Sequence, residues 1–257
     1  MKLLVAFVIS FVSALGWAAK PPLSFEARTE KSLPQKMDIQ RTLEALNLPT
    51  PNALKVLSAQ GSGGYKNLVK LAFAADQSID TQWKALVLMS ILGGELSLPQ
   101  LERAATSDQW YRRNAALIGF SKVSREKSLQ WARKMLTDPS LIVRTSAVET
   151  LRLFHDVESV NLLWTELYHE RNFKSGQSLW VRRHIVEALS EFAKQGDEAK
   201  LIGVLKDADD SLYRPAVQGL ERLTRVSLGQ PDEPVAFKKK YWQNWWQARH
   251  NESSQTL

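Results

Sequence analysis

The segment Val143-Arg144-Thr145-Ser146-Ala147-Val148-Glu149-Thr150-Leu151 returns as Val181-Arg182-Arg183-His184-Ile185-Val186-Glu187-Ala188-Leu189, which makes the chain a repeat protein. Looser copies begin at Leu212 and Tyr111, and a faint one runs from Thr81 to Met89. Each copy keeps apolar or small residues at its fifth and sixth positions, as in Ala115/Ala116, Ala147/Val148 and Ile185/Val186, which together with Val143 and Leu151 form one helical stripe. The starts at 81, 111, 143, 181 and 212 are separated by 30, 32, 38 and 31 residues, a period of stacked helix pairs and not of a coiled coil.

A second helical pattern precedes each copy, with apolar residues every three or four positions, for example Leu129/Ala132/Leu136 and Val160/Leu163/Leu167. A single pair buries too little apolar surface to offset the entropy of ordering its backbone, so pairs have to stack on one another. The expected fold is therefore all-α, an α-solenoid of stacked antiparallel helix pairs. The longest interval contains residues 169–178, an insertion between the two helices of one pair that falls at a rim.

The chain begins with Lys2, an apolar run from Leu3 to Val12 and small residues at Ala14, Gly16, Ala18 and Ala19, the order of a secretory signal peptide. The run is shorter than the roughly 20 residues that span a bilayer, so no transmembrane segment is expected after cleavage, and the protein is expected in the periplasm or secreted. Cysteine is absent, which removes disulfides, thiol catalysis and sulfur-ligated zinc, and leaves packing to supply stability. Residues 1–18 read as the signal peptide, 19–37 as a flexible leader and 38–64 as an N-terminal helical cap. Five helix pairs follow over 65–224, then an aromatic capping helix and tail over 225–257. The net charge of +7 points toward acidic surfaces.

The run Asp138-Pro139-Ser140-Leu141-Ile142-Val143-Arg144, and Lys206-Asp207-Ala208-Asp209-Asp210 before Leu212, resemble the short bacterial form of the HEAT-repeat family, whose solenoids are right-handed. The resemblance covers about residues 65–224. It implies a protein-binding scaffold, and it implies that Asp138 with Arg144, and Asp108 with Arg112, tie one turn to its neighbour. The segment from Leu220 to Arg249 is similar to the closing piece of such proteins. On a helix, Phe237, Tyr241, Trp242, Trp245, Trp246 and Ala248 share one half, and Lys239, Lys240, Gln243, Asn244 and Gln247 the other, as a terminal cap requires.

The chemistry-bearing residues form no catalytic motif. The four histidines are scattered without His-Glu-x-x-His, the glycines at 61–64 lack a following Gly-Lys-Ser/Thr, and Gly-x-Ser-x-Gly is absent, so no metal or cofactor is expected. The reading is a non-enzymatic scaffold that binds a protein or peptide, acidic in character, on a concave face lined by second helices. The third and fourth residues of each copy would point away from the packed stripe, which nominates Trp83, Lys84, Arg113, Asn114, Arg183, His184 and Arg214, with Glu149 and Glu187 one turn on. On this facing, exchange of Arg113 or Arg183 should leave stability unchanged while loss of Arg144 should not. The alternative is an enzyme on the same scaffold, acting on nucleic acid in the manner of DNA glycosylases or on a pigment. Export disfavours nucleic acid. N-terminal sequencing of the protein from its native cell should find a chain beginning near Ala19; recovery of the chain from Met1 in the cytosol would contradict export.

Overall fold

The computed structural model describes residues 35–230 and 232–255, so the signal peptide, the leader as far as residue 34 and the last two residues of the tail lie outside them. The described chain is all-helical apart from one two-residue hairpin. Among these residues no helix is long and apolar enough to cross a membrane. The chain divides into two compact units, Met1–Thr150 and Leu151–Leu257.

The first unit holds α1 (Gln35–Ala45), α2 (Thr50–Ala59), α3 (Ser62–Phe73), α4 (Ile79–Gly93), α5 (Leu98–Ala105), α6 (Trp110–Val123) and α7 (Arg125–Met135), and α8 (Leu141–Leu153) begins in it. Helix starts are set by local chemistry. The Ser78 hydroxyl accepts from the Thr81 amide at the head of α4, and the Ser124 hydroxyl from the Lys127 amide at the head of α7. At the head of α2 the cap position is Pro49, Thr50 is the first helical residue, and Pro51 sits within the first turn, where no amide proton is needed. Helices α3 and α5 pack on α4 and α6 respectively, while α4 and α6 pack on each other. This places the two motif helices at the centre of the unit, and Ala85–Ser90 and Asn114–Phe120 are buried on every side.

The second unit repeats the arrangement. Helix α9 (Val160–Leu167) packs on α10 (Val181–Phe192), α11 (Glu198–Val204) packs on α12 (Tyr213–Thr224), and α10 and α12 pack on each other. The insertion forms β1 (Phe173–Lys174) and β2 (Gln177–Ser178), paired antiparallel across Ser175 and Gly176. Both turn residues have positive φ, as a two-residue hairpin matched to strand twist demands.

The last helix, α13 (Val235–Gln255), packs on α11. Its aromatic half is less buried than the helical wheel suggests. Trp242 is fully buried with Trp245 edge-on at 5.5 Å, whereas Phe237 is 56% exposed and Tyr241 38%. Lys239, assigned by the wheel to the solvent half, instead donates to the Asp207 carbonyl and the Asp210 carboxylate, both at 2.8 Å. Trp242 and Lys239 are therefore anchoring contacts of this helix. Trp242→Ala should cost about 3 kcal/mol in urea unfolding, while Phe237→Ala should stay within about 0.5 kcal/mol. Equal losses would show that the anchor is spread along the helix.

Candidate interaction cleft

Two turns show how each unit is held. Ahead of α8, the Asp138 carboxylate accepts the Ser140 amide at 2.8 Å and takes the Arg113 guanidinium in bidentate fashion, at 2.7 Å from Nε and 2.8 Å from Nη2. Ahead of α12, the Asp207 carboxylate accepts the Asp209 amide at 2.9 Å and takes Arg182 through Nη2 and Nη1. In both cases the arginine stands 25 residues before the aspartate. Arg113 also donates to the Ser107 and Asp108 carbonyls, and Arg182 to the Leu167 carbonyl, so each guanidinium joins its own turn to the next. The Arg113 guanidinium is held above its ordinary value, first by the hydrogen bond with Asp138. The insertion completes the second clasp: Arg182 is 1% exposed, with Phe173 stacked on its guanidinium at 4.3 Å and the Ser178 hydroxyl accepting from Nη1.

This geometry corrects part of the facing expected from sequence. Trp83 and Asn114 are interior: the indole Nε1 donates to Asn114 Oδ1 at 2.8 Å, and Asn114 Nδ2 donates to the Ser146 hydroxyl at 2.7 Å. Arg113 is a clasp residue and not a free surface cation. Arg112 does not tie Asp108; its Nε and Nη2 turn back to Gln82 Oε1. Arg144 is buried and donates from Nη1 to the carbonyls of Asp138 and Pro139. For Arg113 the cause is a slip of one residue. With the second copy begun at Arg112 instead of Tyr111, Arg113 takes the place of Arg182, Gly119 takes that of Gly219, and the intervals become 31, 31, 38 and 31. Of the remaining candidates, Lys84 is partly exposed and paired with Asp80 at 2.8 Å.

In the second unit the candidates reach the surface. Arg183 and Arg214 are exposed, and His184 is partly exposed with Nδ1 at 3.6 Å from Glu187. Continued by one and two turns, Arg183 leads to Glu187 and Glu191 along α10, and Arg214 leads to Gln218 and Arg222 along α12. The later members of these stripes, Glu187, Glu191, Gln218 and Arg222, line a cleft of about 300 Å³ together with Arg152, Ser190 and Gly219. Arg152 donates to Glu187 and Glu191, both at 3.1 Å. Arg222 Nη2 donates to the carbonyls of Ser190 and Ala193 at the end of α10. Gly219 is required for the approach of α12 to α10, since a Cβ there would lie 2.9 Å from Leu201 Cδ1 and 3.0 Å from the Ser190 hydroxyl. Sequence reading reached Glu187 but missed Glu191, Gln218 and Arg222; their signal was the i+4 continuation of the stripes it had found.

The first unit has the same backbone device with different side chains. A Cβ on Gly119 would lie 2.5 Å from Leu101 and 3.1 Å from Ser90. One hundred residues before Glu187, Glu191 and Gln218 stand Val87, Ile91 and Ile118. Lys122 stands at the place of Arg222, and burial holds it below the ordinary lysine range. The cleft is thus a choice of side chains and not a by-product of the repeat.

No protein-family model matches the chain, and no curated protein matches it.

The clasp also makes stability depend on pH. Burial works to raise Asp207, but the Arg182 hydrogen bond and the Asp209 amide outweigh it and hold the carboxyl below the usual range. Asp209 is lowered against the same burial by its bonds with Ser178 and Ser211. A group depressed in this way stabilises the fold fully above the unfolded value of about 4 and loses that contribution as pH falls below it. Asp207→Asn should lower the melting temperature at pH 7 and flatten its fall between about pH 4 and pH 2. An unchanged acid limb would show that the clasp does not carry it.

Proposed function

We propose that the chain is an exported, non-enzymatic scaffold of HEAT-like repeats, a right-handed α-solenoid of antiparallel helix pairs that binds a protein or peptide segment on the concave face presented by its second helices. The observation that carries this reading is the cleft between α10 and α12. It lies between two motif helices, it is lined by polar residues of both, and three of its counterpart positions in the first unit, Val87, Ile91 and Ile118, are apolar. A repeat that needed these positions only for packing would keep them apolar, as at Val87 and Ile118.

Recurrence of the clasp and of the serine–glycine approach in both units supports the repeat reading. Export rests on the order of the first nineteen residues. Arg183 and Arg214 remain partner-binding candidates. Lys84 belongs to a different unit and adds no support.

A photo-reactive residue placed at Gln218 should yield a discrete protein adduct in the native cell envelope, and one placed at exposed Lys55 should not. Equal labelling from both positions, or none from Gln218, would contradict binding at this face.

A further inference from the structure

The charges lining the cleft cancel in number, Arg152 and Arg222 against Glu187 and Glu191, but their pairing is uneven. On α10, Glu187 and Glu191 are both engaged by Arg152, and Glu187 is engaged again by Arg183 at 3.0 Å, which leaves two carboxylates matched by two guanidiniums, with His184 beside Glu187. On α12 the balance differs: among the described residues no carboxylate pairs with Arg214 or with Arg222, and the neighbouring Glu221 accepts from the Ser227 hydroxyl. Arg222 commits only Nη2, and commits it to carbonyls, so Nε and Nη1 are left for a ligand.

The lining of the cleft supplies a second, independent observation. Ser190 is 5% exposed, lines the cleft, and its hydroxyl has no hydrogen-bond partner. Its counterpart in the first unit, Ser90, is fully buried and donates to the Val87 carbonyl at 2.7 Å. The same serine is hydrogen-bonded in one unit and unpartnered in the other, and the unpartnered one lines a polar cleft. A buried hydroxyl without a partner costs free energy unless a bound group completes it.

We propose that this cleft and the α12 face beside it recognise an extended acidic peptide, through two carboxylates that meet Arg222 in the cleft and Arg214 just outside it, with a polar group of the peptide lying over Ser190. The proposal rests on the scaffold reading and names the chemistry of its partner. Arg214 and Arg222 are eight residues apart on one helix face, about 12 Å along the axis at 1.5 Å per residue. An extended chain rises about 3.3 Å per residue, so the matching acids stand about four residues apart and, that spacing being even, on the same side of the strand. Gln218, midway between the two arginines and exposed, offers both a donor and an acceptor to the intervening peptide bonds.

The test is fluorescence anisotropy of the intact protein with labelled nine-residue peptides of Gly, Ser and Ala carrying two guest residues. Peptides with Glu four positions apart should bind about tenfold more tightly than those with Gln at the same places, and the advantage should shrink as salt rises. Peptides with adjacent Glu should recover only part of it. Arg214→Gln should remove most of the advantage with the melting temperature unchanged. Arg222→Lys should keep more of it than Arg222→Gln, since lysine retains the charge even if the cap on α10 loosens. Preference for Gln or Lys peptides would overturn the acidic partner and leave the scaffold reading standing. No binding of any peptide, with the adduct at Gln218 still formed, would also overturn this inference alone; loss of both would remove the two together.

Discussion

An arginine that reaches from one motif helix to the aspartate turn ahead of a later one is the contact on which each unit depends. Arg113 with Asp138, and Arg182 with Asp207, are bidentate and largely withdrawn from water, and each aspartate also holds the amide two residues on. The interaction combines two constraints. It closes the turn locally through an Asx-type hydrogen bond, and it fixes that turn against an earlier helix through a charged fork. Helix propensity supplies neither constraint, and without them the helices would have no fixed offset from one another. The insertion at 169–178 belongs to the same account, since Phe173 and Ser178 enclose Arg182 and shield its ion pair.

Small residues then decide how closely the motif helices approach. At Gly119 and Gly219 a methyl group would crowd a serine of the partner motif helix and strike a leucine of the helix that precedes its own. Once this distance is fixed, the side chains one turn to either side determine what the helix pair presents. Valine and isoleucine seal the first unit. Glutamate, glutamine and arginine leave the second with a polar cleft.

The all-helical class was legible because the apolar stripe recurs at helical spacing over five copies, and repetition suppresses the ambiguity of any one helix. Register was less so. Tyr111 and the doublet Arg112-Arg113 fit the motif in two ways, and only the position of Asp138 across the turn selects the second. Trp83 and Asn114 read as surface residues because each is polar or amphipathic at a position beyond the stripe. They are buried because each satisfies the other, a pairing that pattern alone does not reveal. The cleft was half visible: Arg183, Glu187 and Arg214 lay on the right stripes, but Gln218 and Arg222 gain meaning only when α12 is known to lie against α10.

The account stands or falls on whether the clasp is a coupled unit and not two separately useful side chains. A double-mutant cycle on Arg182→Ala and Asp207→Ala, read by urea unfolding, measures this directly. Each single change should cost about 3 kcal/mol or more, because it strands a buried partner, and the double change should cost little more than either, a coupling of about 2 to 3 kcal/mol. Losses that add to within about 0.5 kcal/mol would contradict the central place given to this contact.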